Sequence, residues 1–124
     1  MSAFRIKDRL RSFKYAAKGI KYVFLTQHNF WIHLVFAAAV IVCGFAFNVS
    51  RFEWLILILC IGFVLVAEVM NTAFEELVDL ISPGFSKKAG RIKDIGAGAV
   101  LLASLVSAIA GLLIFIPKIF QDLL

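Results

Sequence analysis

In the first 25 residues, Ile6, Leu10, Phe13, Ala17, Ile20 and Phe24 recur at steps of four and three, the spacing of one helix face. Lys7, Arg11, Lys14, Lys18 and Lys21 repeat those steps one position later, so a cationic stripe runs about 100° around the helix from the apolar one. A helix so patterned lies in a membrane interface, with acyl chains under one stripe and headgroups beside the other. An ordinary amphipathic helix docked on protein shares the periodicity but lacks the basic bias. Further on, the amphipathic pattern gives way to apolar runs at about 30–49, 54–74 and 95–116, on the scale of the roughly 20 residues that a spanning helix needs. Polar breaks at 48–53 and 82–94 separate them. The pattern predicts an all-α membrane protein: an interfacial helix over 1–27, then three transmembrane helices, forming one domain over 1–124. Pro83-Gly84 is expected to end the second span and Pro117 the third.

Composition narrows this further. Hydrophobic residues make up 62% of the 124 and charged residues 17%, against about 25% charged in soluble domains, which excludes a soluble single domain. No length remains for a separate catalytic domain, so any chemistry is built from the spans and their flanks, with help from neighbouring copies. The net charge of +5 is unevenly placed. Arg5, Lys7, Arg9, Arg11, Lys14, Lys18 and Lys21 face only Asp8, and Lys87, Lys88, Arg91 and Lys93 occupy the second break. Arg51 and Lys118 alone fall on the other side, so the N-terminus is expected in the cytoplasm, on an anionic leaflet, and the C-terminus outside. The basic residues precede a membrane segment instead of forming a separable arm, which argues against nucleic acid as a partner. Cys43 and Cys60 sit in apolar runs as small hydrophobes, giving no disulfide or metal framework. The first apolar run starts near Phe30, too late and too long for a cleaved signal peptide.

Two features of the third span have structural readings. Gly96, Ala99, Ala103, Ser107 and Ala110 share a narrow arc that permits close helix packing. The stretch from Gly90 to Gly98 is glycine-rich but lacks the order of a phosphate-binding loop and follows no strand.

The second span carries the anomaly. Glu68, Thr72, Glu75 and Asp79 fall within about 60° of one another on a helix, with Asn71 beside them. If the span starts at Trp54, Glu68 lies about 7 Å inside the cytoplasmic boundary. An acid near the centre of a span costs about 2.5–3.5 kcal/mol, somewhat less toward the interface, and no basic residue shares this span. The bland explanation is a carboxyl that fixes assembly between subunits. The functional one is a general base for a hydroxyl arriving from the lipid, with Glu75, two turns nearer the cytosol, as a Mg²⁺ ligand alongside substrate phosphates. Lys93 and Asp94 open the third span on the same side. The layout points to a membrane-borne hydroxyl meeting a cytosolic phosphate donor. Acids facing a bundle interior also suit an ion-coupled transporter or channel, and a non-catalytic assembly subunit is a third reading.

From Glu68 to Asp79 the chain reads Glu-x-x-Asn-(Ser/Thr)-Ala-x-Glu-x-x-x-Asp, followed by Gly90-Arg91-x-Lys93-Asp94-x-Gly96 and preceded by Tyr15-x-x-Lys18-Gly19. In these blocks and in its helix layout it resembles the small bacterial integral-membrane diacylglycerol kinases, which include the undecaprenol kinases. The resemblance implies a homotrimer in the bacterial plasma or inner membrane, with composite sites phosphorylating a lipid alcohol from ATP and Mg²⁺. It further implies that Glu68 is the catalytic base and touches the lipid, and that Asn71 supports it. Tyr15, Gln27, Glu75, Lys93 and Asp94 would meet ATP, with Glu75 and Gln27 toward the metal. The chain departs from the family at Gln27-His28-Asn29, where relatives carry a second metal-binding Glu. An amide oxygen ligates Mg²⁺ without charge, leaving Glu76 or ATP to compensate. Trp31 stands where relatives often have Arg, and Ser86 where they often have His. The resemblance would give either Arg9 or Arg11 the part of the family's N-terminal arginine, with a register too loose to choose between them. Ile32-His33 leans toward the undecaprenol branch, with diacylglycerol also open as acceptor.

Overall fold

The computed structural model describes residues 5–123, so residues 1–4 of the expected first helix lie outside the described residues. Helix α1 spans Ile6–Thr26, α2 His28–Ala46, α3 Arg51–Ile81 and α4 Lys87–Leu123. The last three are long and apolar enough to cross a membrane, making this a multi-pass membrane protein. α3 packs most extensively on α4 and then on α2, while α1 touches both α2 and α3.

The connections explain the register. Gln27 leaves helical geometry at φ −106°, ψ 111°, dividing α1 from α2. Trp31 folds back over this break: its indole N–H donates to the Phe24 carbonyl at 2.8 Å, and the two rings lie 4.3 Å apart. One of the carbonyls left unpaired at the end of α1 is thereby satisfied, which gives Trp31 a structural use at a position where arginine was the family expectation. α2 ends in a turn at Asn48, whose φ of 49° is a left-handed conformation that asparagine tolerates. Ser50 and Glu53 then form a capping box, in which the Ser50 hydroxyl accepts from the Glu53 N–H and the Glu53 carboxylate accepts from the Ser50 N–H. At this end Val49, Leu57 and Ile114 form an apolar core. A Cβ at Gly44 would collide with the Trp54 indole, so glycine sets the close approach of α2 to α3.

The helices outrun the apolar segments. α3 continues past the expected 74 to Ile81 and α4 past 116 to Leu123. Hydropathy marks where the bilayer ends, whereas helix pairing is internal to the segment and persists into water. Pro83-Gly84 does follow the end of α3, but Pro117 does not close α4; it lies inside the helix. A proline within a helix costs one ladder bond and a bend without ending the pairing beyond it. The next residue is anchored as well, because Lys118 Nζ lies 3.0 Å from Glu53 Oε2 at the start of α3. Ser86 begins α4: its hydroxyl accepts from the Ala89 N–H at 3.3 Å, an N-cap where relatives often carry histidine.

Part of the small-residue arc of α4 meets α3, whereas Ala99 is exposed. Ala103 is 1% exposed, the Ser107 hydroxyl donates to the Cys60 carbonyl at 3.3 Å, and Gly96 lies against Asn71. The Gly90–Gly98 stretch is helical, in keeping with a packing role.

Candidate active site

The polar face of α3 turns inward where the three spanning helices meet. Glu68 is 2% exposed, Thr72 2% and Asn71 7%, the buried polar residues among those described. Thr72 returns its hydroxyl to the Glu68 backbone carbonyl at 2.9 Å, leaving the carboxylate for other partners. The facing group comes from α2: His33 Nε2 stands 3.5 Å from Glu68 Oε2, with the histidine side chain 19% exposed. The basic group that faces this acid therefore sits on the neighbouring span. Sequence reasoning sought it on the same span and missed it; the available signal was a histidine in the second turn of an apolar helix.

One turn outward, Asn71 Nδ2 donates to Glu75 Oε1 at 3.3 Å. The amide oxygen of Asn71 is buried without a hydrogen-bond partner, facing Gly96 of α4, where a Cβ would collide with it. Glu75 is half-buried and close enough to both Glu68 and Lys93 for its charge to act on each. At the outer end, Lys93 Nζ of α4 pairs with Asp79 Oδ1 of α3. His33, Glu68, Glu75, Lys93 and Asp79 thus form a string of charged or ionisable groups from the buried interior to the exposed ends of α3 and α4.

Other expected site residues stand apart from this string. Tyr15 is 61% exposed on α1, with Lys18 Nζ 5.9 Å from its ring centre. Gln27 is half-buried at the α1–α2 break and donates to the Thr26 hydroxyl at 3.3 Å. Asp94 is exposed, and Arg9 and Arg11 lie on the exposed surface of α1. Glu76 is engaged elsewhere, accepting from the Tyr22 hydroxyl at 2.8 Å.

The donor set suits a magnesium ion held jointly with phosphates. Among the described residues no three His, Cys, Asp or Glu side chains gather as a metal cage, but Mg²⁺ needs only one or two carboxylates when substrate phosphates complete its octahedron. Glu75 supplies one half-exposed carboxylate, and the unpartnered Asn71 oxygen beside it is another hard donor. On the membrane side, His33 lines an apolar cleft of about 600 Å³ that also touches Phe36, Val64, Leu105 and Phe115. A nonpolar chain fits such a surface, and the cleft brings it to the imidazole beside Glu68.

Comparison with known proteins bears on this arrangement. The family model for prokaryotic diacylglycerol kinase matches residues 14–115. The chain is 43% identical over 109 residues to an undecaprenol kinase of Bacillus subtilis, covering 88% of this chain and 89% of that one. It is 37% identical over 113 residues to a diacylglycerol kinase of Synechocystis, covering 90% of this chain and 65% of the relative. With a diacylglycerol kinase of Escherichia coli it shares 30% identity over 95 residues, 77% of this chain and 78% of the relative. The chain belongs to the prokaryotic diacylglycerol kinase family and is a lipid kinase.

Proposed function

We propose that this kinase transfers the γ-phosphate of Mg-ATP to a lipid alcohol at the cytoplasmic face of the membrane, working as a homotrimer whose sites are completed by neighbouring copies. The observation that carries the reading is the burial of Glu68 at the inner end of a string of charged groups that opens to water at Lys93. The higher identity to an undecaprenol kinase than to the diacylglycerol kinases supports undecaprenol as the acceptor ahead of diacylglycerol.

Glu68 accepts the proton of the lipid hydroxyl as that oxygen forms a bond to the γ-phosphorus. The bond from phosphorus to the β,γ-bridging oxygen breaks, and ADP leaves with the electron pair. Little covalent work falls to the protein in such a transfer; positioning and charge neutralisation supply most of the acceleration. Glu75, together with the ATP phosphates, would hold a magnesium ion, which would supply part of that neutralisation. Lys93 supplies the rest as a point charge at the mouth, and Asn71 holds Glu75 in register with Glu68. Asp94, Tyr15 and Gln27 complete the nucleotide side, and the basic residues of α1 and of the first turns of α4 keep this face in the cytoplasm.

The test is purified protein in micelles with Mg-ATP and a panel of lipid alcohols including undecaprenol and diacylglycerol. Phosphate is expected on a lipid product, with crosslinking giving a trimer. No phosphorylated lipid, together with ion flux in liposomes, overturns the reading.

A further inference from the structure

We infer that His33 is a positioning residue for the phosphoryl transfer, holding one oxygen of Glu68 so that the other is presented to the acceptor hydroxyl. The inference rests on the reading of Glu68 as the base. A carboxylate in an apolar bundle needs a fixed partner, because its terminal torsion is broad and a rotated carboxylate points its lone pairs away from the hydroxyl. Among the described residues of this chain, the groups around it leave one candidate. Thr72 bonds the Glu68 carbonyl and not its carboxylate. Asn71 donates to Glu75. Lys93 is paired with Asp79 near the helix ends, and Glu75, the other charge close by, repels. His33 from α2 faces Oε2 at 3.5 Å.

The geometry is that of a pair poised to tighten: hydrogen bonds in catalytic sites are often long before substrate binds and shorten in the reacting complex. His33 also belongs to the wall of the apolar cleft, together with Ile32 and Phe36 of its own helix and Val64 of α3. An acceptor chain lying there brings its alcohol alongside the imidazole, so the residue that orients the carboxylate also borders the acceptor's approach. Directed at Glu68 through Nε2, an imidazole N–H donates to the carboxylate.

The experiment compares His33→Gln with His33→Leu, two replacements of similar bulk of which only glutamine can donate to Glu68. Initial rates in micelles are measured against ATP and against undecaprenol, with thermal unfolding followed in parallel. His33→Leu is expected to lower kcat about 10- to 100-fold, with the KM for ATP within about twofold of the parent, as for loss of an interaction made in the transition state. His33→Gln is expected to restore kcat to within a few-fold. Equal kcat losses in both variants, or a loss that tracks unfolding, make His33 a packing residue and overturn the proposal. A double variant completes the test: in the Glu68→Gln background, His33→Leu is expected to add nothing further. Full activity in Glu68→Gln removes the base assignment and this proposal with it. Lost activity in Glu68→Gln with full activity in His33→Leu overturns the proposal alone.

Discussion

The Tyr22 hydroxyl donates to Glu76 Oε1 at 2.8 Å, joining helix α1 to the carboxylate-bearing helix α3 across 54 positions of sequence. Contacts between these helices are otherwise sparse, so this bond has a large share in fixing α1 over the outer end of the site. It also occupies an oxygen of Glu76 that would otherwise be a substitute for a missing metal-binding glutamate before the first span.

That bond has a pH signature. The hydrogen bond to Glu76, then the charge of Glu76, then partial desolvation hold the Tyr22 phenol above the ordinary tyrosine value of 10.0. The folded state therefore retains this proton more tightly than the unfolded chain. The link is fully present below pH 10.0 and is lost as pH rises through the higher folded value. Tyrosinate absorbance in an alkaline titration is expected to show Glu76→Gln titrating at lower pH than the parent. Tyr22→Phe is expected to speed proteolysis within α1 at neutral pH.

Gly96 provides a test of the α3–α4 seam. Its missing side chain makes room for the Asn71 amide, and any Cβ there overlaps the amide oxygen. Gly96→Ala is expected to destabilise by about 1–3 kcal/mol, the usual cost of overpacking, and to cut activity by displacing Asn71 from Glu75. Gly98, two positions on, has nothing within 4 Å of a built Cβ. Gly98→Ala is expected to leave activity unchanged and to hold or raise the melting temperature in micelles, since alanine favours helix.

Much of this was legible in one dimension. Runs of apolar residues located the spans, and a rotation of 100° per residue collected Glu68, Thr72, Glu75 and Asp79 onto one face, of which Glu68 and Thr72 are buried with Asn71. Local periodicity carries no information about which helix faces which, so the approach of His33 on α2 to Glu68 on α3 was hidden. The same holds for Tyr22 with Glu76. Trp31 and Ser86, conspicuous as departures from the family pattern, cap helix ends; their function depends on loop geometry that hydropathy does not encode. Pro117 misled because a proline inside a helix is carried by the turns and contacts on either side of it, here the Lys118–Glu53 ion pair between α4 and α3, which local turn rules do not encode.

The turn between α2 and α3 gives a stability prediction independent of catalysis. Ser50→Ala removes the hydroxyl that caps the Glu53 N–H and is expected to cost about 1 kcal/mol, read as a lower melting temperature with KM values for ATP and lipid unchanged. The capped end lies at the opposite end of α3 from Lys93, which is why the two KM values should not follow.

Lys93 decides whether the outer pair belongs to the chemistry. Lys93 and Asp79 are 37% and 62% exposed, and exposed ion pairs add little to stability. If the pair were only a surface contact, removing either partner would have the same small effect. If Lys93 is instead the charge for the γ-phosphate, it would be indispensable and Asp79 would merely hold it while ATP is absent, so the two substitutions should diverge. Lys93→Met is expected to lower kcat/KM for ATP by about 100-fold, the scale of losing one charge-stabilising donor, with unfolding unchanged. Asp79→Asn leaves the ammonium in place and releases it from a competing carboxylate, so kcat/KM for ATP is expected to stay within a few-fold of the parent or to rise. Equal losses in the two variants make the pair a structural tie between α3 and α4 and remove Lys93 from the nucleotide site.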